Sequence, residues 1–155
     1  MAKLPPFPLR NVVTEPTRFL SSLWRDWFTA LRDAINLAVA RAASTSVTAQ
    51  SAAISSTTAH AVTETGLYRV SYRARITTAA TVSSSLTVTV GWTDTGVACS
   101  QAGAAMTGNT TTTQQSGQVV VYADAATAIT YSTAYVTSGA TSMAYALAVV
   151  VEQLP

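Results

Sequence analysis

Cysteine occurs once in the 155 residues, at Cys99, and histidine once, at His60. A single cysteine excludes an intrachain disulfide, and one histidine with one cysteine excludes a zinc site built from several soft ligands of one chain. Charge is also scarce. Of nine basic and seven acidic residues, six and three lie in the first 41 positions, which leaves the remaining 114 with three arginines and four carboxylates. The net charge of +2 gives no electrostatic case for nucleic acid, and no basic motif interleaved with aromatics accompanies it. Long apolar runs are missing as well: Arg25, Asp26, Arg32 and Asp33 interrupt the one long helical stretch, well short of the ~20 uninterrupted residues of a bilayer span. The opening MAKLPPFPLR lacks the apolar centre of a secretory signal, so folding in a reducing cytoplasm is expected. Hydrophobic residues nevertheless make up 48% of the chain, enough for a real core.

What is present divides near residue 42. All three Phe and two of the three Trp precede it, and all six Tyr follow it. Residues 1–13 carry Pro5, Pro6 and Pro8 between Leu4, Phe7 and Leu9, a pattern that forbids helix and favours an extended arm. From Thr14–Pro16 to about Arg41 the spacing predicts a helix, with a hydroxyl available to cap and a proline tolerated in the first turn. Leu20, Trp24, Trp27, Leu31, Ala34 and Ala38 follow a 4-3-4-3-4 rhythm, and Phe19, Leu23, Phe28 and Ile35 widen the apolar stripe. Such a helix is unstable alone in water. It suits a parallel self-associating bundle, docking on another protein, or, with tryptophans beside arginines, an interfacial membrane position.

Residues 42–53, rich in Ala, Ser and Thr, read as a linker, and 54–155 as β throughout. Tyr68, Val70, Tyr72, Ala74 and Ile76 alternate with Arg69, Ser71, Arg73 and Arg75, and Leu86, Val88, Val90 and Trp92 alternate with threonines. Further strands are predicted at 54–63, 118–123, 129–137 and 143–151, between turn signals. Short alternating strands of this kind predict an antiparallel sandwich or barrel. The last strand is apolar on both faces, Met143, Tyr145, Leu147, Val149 and Val151 on one, Ala144, Ala146, Ala148 and Val150 on the other. An antiparallel sheet normally shows water one polar face, so the small Ala/Val face is expected at a subunit interface.

Gly66-Leu67-Tyr68-Arg69-Val70-Ser71-Tyr72 resembles the G-x-Y-x-[FV]-x-[FY] strand of complement-type and tumour-necrosis-factor-like heads, and the closing apolar strand lies where those heads have one. The run from Gly66 to Asp94 also resembles small structural proteins of tailed bacteriophages. The resemblance covers roughly 54–152 and implies a mainly β fold, an antiparallel jelly-roll head that forms homotrimers, preceded by the amphipathic helix. A collagen stalk is lacking, which favours a virion part over an extracellular animal protein. The function it implies is a non-enzymatic virion spike, fibre or decoration, made in the host cytoplasm. Phe7, Trp24, Trp27, Leu31 and Ile35 would anchor it to a capsid, collar or tail protein, and Ala144, Ala146, Ala148 and Val150 would form the trimer interface. The alternative is a receptor-binding tip that recognises a host surface glycan.

Other sites are weighed against that reading. Asp94-Thr95-Gly96 matches the triplet of aspartic proteases, but an Asp-Thr-Gly after a strand is an ordinary turn. His60 with Asp94 or Asp124 could formally serve a serine nucleophile, yet no Gly-x-Ser-x-Gly elbow is present. No catalytic, cofactor or metal residue is therefore assigned. Arg69, Arg73 and Arg75 share one face and form either a solvated surface or a stripe for an acidic partner. Residues 93–117, small and Thr-rich, read as one long loop of the kind that carries function when it is not merely mobile. Nucleic acid and membrane are not expected as partners.

Overall fold

The computed structural model describes residues 22–36 and 40–155, in two units divided after Ala40. The first contains helix α1 (Ser22–Asn36). Trp24, Trp27 and Leu31 are half-buried, and the rings of Trp24, Trp27 and Phe28 form one cluster with centroids 5.3–6.1 Å apart. Positions three and four apart meet on a helix, which is why Trp24 touches both Trp27 and Phe28. The arm, residues 14–21, Phe7 and the side chain of Ile35 lie outside the described residues.

The second unit holds eight strands: β1 (Ala40–Gln50), β2 (Thr57–Ala61), β3 (Gly66–Thr78), β4 (Ser83–Asp94), β5 (Val97–Ala102), β6 (Gln114–Ala123), β7 (Ala128–Ser138) and β8 (Ala144–Gln153). They form two antiparallel sheets in the orders β1-β8-β3-β6 and β2-β7-β4-β5, the arrangement of a β sandwich. The period-2 alternation seen in the sequence is what builds it. Tyr68, Val70 and Ile76 of β3, Leu86, Val88 and Val90 of β4, Val121 of β6, Ile129 of β7 and Tyr145, Val149 and Val151 of β8 turn inward into one core. Burial of each such side chain is worth about 1.5–3 kcal/mol, so the alternation fixes which face of each strand looks inward.

Three expectations are corrected. Ala40 and Arg41 belong to β1 rather than to the helix, and residues 42–50 are the rest of that strand rather than a linker. Ala43, Thr45 and Val47 are half-buried at alternate positions, and pairing with β8 overrides a composition that reads locally as flexible. The stretch 93–117 is not one loop, since it contains all of β5 and the start of β6.

The remainder of that stretch is tied down. Leu86 and Met106 exchange backbone hydrogen bonds of 2.9 Å, Ala80 N–H donates to Gly108 O, and Gly108 N–H donates to Ser84 Oγ at 2.7 Å. Asn109 closes the clasp, its amide donating to the carbonyls of Ala80 and Val82 while its Oδ1 accepts from Ser84 Oγ. A Cβ on Gly108 would collide with the Met143 sulfur, so only glycine lets the loop approach this closely.

Asp94-Thr95-Gly96 is the β4–β5 hairpin. Asp94 pairs with Val97, and the two central residues, Thr95 and Gly96, have φ of 51° and 76°, as a type I′ turn requires. A β-branched residue in the left-handed region is strained, at about 1 kcal/mol or more. Thr95→Asn, which gives the Asn-Gly pair this turn favours, is expected to stabilise the fold by about 0.5–1 kcal/mol. Chemical denaturation checks it, as a higher midpoint at unchanged slope.

Candidate functional site

The register of β3 against β8 decides what the site residues can do. Arg69 lies opposite Glu152, Ser71 opposite Val150, Arg73 opposite Ala148 and Arg75 opposite Ala146. The expected trimer interface and the expected basic surface are therefore neighbours on one face, the outer side of the sheet β1-β8-β3-β6. On the far side of β3, Leu67 faces Tyr122 and Arg69 faces Val120, both on β6. The face has two halves. Near the start of β3 it carries exposed apolar side chains, with Leu67, Val120 and Tyr122 exposed at 45%, 56% and 46% and Val150 half-buried, and the paired Arg69 and Glu152 lie among them. Toward the end of β3 it is polar, with Arg73, Arg75, Gln114 and Ser116, above the short side chains of Ala146 and Ala148.

The three arginines differ in their partners. Arg69 donates through Nε to Glu152 Oε2 at 2.7 Å and its terminal nitrogen lies 2.7 Å from the same oxygen, an ion pair about one-third exposed. Pairs of this kind contribute about 0–1 kcal/mol and leave Arg69 largely neutralised. Arg73 donates to the neutral Gln114 amide oxygen at 2.7 Å. Arg75 has no side-chain partner among the described residues. Beside Arg73 and Arg75 a groove of about 270 Å³ runs over Ala146 and Ala148, with Ser46 and Thr48 of β1 on its other side. A strand of alanines between taller neighbours leaves such a trough.

The residues weighed for catalysis fall elsewhere. Thr95 Oγ1 donates to Asp94 Oδ1, and Asp124 Oδ2 accepts from Gly96 N–H at 2.8 Å, so both carboxylates serve the β4–β5 turn. His60 on β2 packs at 5.6 Å from the Tyr68 ring, and burial holds its imidazole below the usual value. Cys99 is half-exposed on β5, opposite Trp92. Among the described residues no group of three or more His, Cys, Asp or Glu could hold a metal, and no helix is long and apolar enough to cross a membrane.

Sequence reasoning missed that the alanine row and the arginine row adjoin, because strand order and register are tertiary facts. The signal within reach was composition: the outward positions of β8, Ala144, Ala146, Ala148, Val150 and Glu152, carry no Ser or Thr. No protein-family model matches the chain, and no curated protein matches it.

Proposed function

We propose that this chain is a non-enzymatic virion structural protein of the tailed-phage kind, a homotrimer held to the particle by its N-terminal arm and helix with the β sandwich as its head. Strand order supports the jelly-roll form of that head. In the two sheets β1-β8-β3-β6 and β2-β7-β4-β5, successive strands alternate between sheets except at the β4–β5 hairpin, the strand order of two Greek keys folded together. The observation that carries the reading is the row of exposed apolar side chains Leu67, Val120 and Tyr122, with the Arg69–Glu152 pair and, across β3, the small side chains of β8 beside it. Contiguous apolar surface on a soluble domain marks an interaction site, and closed homo-oligomers are the commonest outcome.

Anchoring is supported by α1. Its Trp24, Trp27 and Phe28 rings form one patch, with Phe28 45% exposed, and aromatic patches are favoured at the centres of protein interfaces. Removing residues 1–39 tests the division of labour. The shortened chain is expected to be lost from particles and still to form trimers; retention on particles would overturn the anchoring role. A second reading, a tip that recognises a host surface glycan, is favoured by one observation, the Arg73/Arg75 groove.

A further inference from the structure

An interface spread over the whole outer face of the first sheet would meet a chemical obstacle in its polar half. Arg73 has only a neutral amide for a partner and Arg75 none among the described residues, and covering such charges with apolar or like-charged surface is strongly unfavourable. A group that displaces water from the space above Ala146 and Ala148 is expected to be anionic. The β unit of a second copy is poorly suited to supply that charge. Glu152 is engaged by Arg69, and Glu64, Asp94 and Asp124 belong to turns at the opposite end of β3, with Asp124 already accepting from Gly96.

The shape narrows the ligand. At about 270 Å³ the trough is smaller than the ~300–1,000 Å³ of clefts that take drug-sized molecules, so it suits one ring-sized group rather than a protein surface. Its lining is divided by chemistry. Arg73 and Arg75, about 6.8 Å apart in backbone spacing along β3, form one wall, the hydroxyl residues Ser46 and Thr48 the other, and two alanine methyls the floor. Guanidinium forks match a carboxylate in the plane of their N–H groups, hydroxyls match ring hydroxyls, and a flat apolar floor matches the C–H face of a sugar.

We propose that this trough binds a carboxylate-bearing sugar residue, such as a uronic acid unit of a surface polysaccharide, with the carboxylate held by Arg73 and Arg75. The proposal deepens the glycan-recognising reading and rests on it; it does not require the trimer.

The test is calorimetric titration of the full chain with trigalacturonate, with maltotriose as the neutral sugar and inorganic sulfate as the plain anion. The expected result is one site per chain that weakens as salt rises, no binding of maltotriose, and sulfate at least about tenfold weaker than the uronate. Both side chains are exposed, so Arg73→Gln/Arg75→Gln is expected to keep the melting temperature and lose binding by tenfold or more. Arg75→Lys, which keeps charge without the planar fork, is expected to fall between. No binding of trigalacturonate, equal binding of maltotriose, sulfate as tight as the uronate, or an unaffected double glutamine variant would each overturn the proposal. Particle mass measured on the same samples reports assembly separately, so failure of the trimer and failure of the sugar site are distinguishable.

Discussion

Lysine at both Val120 and Tyr122 is expected to turn the assembled protein into monomers while leaving the head folded. Both side chains point outward from β6, an edge strand of ten residues without charge or proline. Edges of this kind invite pairing unless a charge blocks them, and Lys is a common natural block. In the free head the two lysines stay in water, where outward substitutions usually change stability by within about 0.5 kcal/mol, with up to about 1 kcal/mol more from lost β preference. In a trimer closed over Leu67, Val120 and Tyr122 they would be buried without carboxylates, at several kcal/mol per charge in every subunit. The mass should therefore fall threefold with an unchanged circular dichroism spectrum. A variant that keeps the parent mass would place the interface elsewhere.

The largest loss of stability is expected from breaking a chain of hydrogen bonds through the middle of the sandwich. Ile54 N–H donates to Thr133 Oγ1 at 2.8 Å, and the Thr133 and Tyr145 hydroxyls are 2.7 Å apart. Tyr145 Oη–H donates in turn to Ala52 O at 2.9 Å, so the proton between the hydroxyls comes from Thr133. Burial pushes the Tyr145 phenol above its ordinary value, the hydrogen bond from Thr133 opposing the shift, and the phenol remains a donor at neutral pH. One side chain from each sheet thus holds the segment that joins β1 to β2, and Thr133 N–H adds a bond to Ile54 O at 3.0 Å.

Thr133→Val keeps the shape but orphans the Ile54 N–H. Tyr145→Phe orphans the Ala52 carbonyl and leaves the Thr133 hydroxyl without an acceptor. The two hydroxyls are buried, whereas Ile54 is half-buried and Ala52 exposed, so each variant should lose about 1–3 kcal/mol, on the order of 5 °C in melting temperature. The double variant should lose less than the sum, because the two share one bond. Thermal unfolding of the three variants checks this. Losses under about 0.5 kcal/mol in both singles would mean the chain of bonds contributes nothing to the fold.

Strands whose two faces differ strongly were legible in the sequence. Tyr68 to Ile76 and Leu86 to Trp92 alternate large apolar with polar residues, and each lies where that alternation put it. Strands made of small residues were not. β1 and β5 consist mainly of Ala, Ser, Thr and Val, whose alternation carries little contrast, and β5 is a six-residue edge that exposes both faces. The clasp at Asn109 was equally invisible, because its partners Ala80 and Val82 contribute backbone carbonyls that leave no trace in composition. The arginine row and the small face of β8 were each readable from i, i+2 spacing. Their adjacency was not, since it depends on β8 pairing with β3 across some seventy intervening residues.

Light scattering coupled to size exclusion, on the full chain and on residues 37–155, tests the central claim that the head assembles through its own outer sheet face. Trimeric mass for both is the predicted result, with assembly encoded in the β unit and α1 left free for anchoring. A full-length trimer whose shortened form is monomeric would contradict it, because assembly would then belong to the helix.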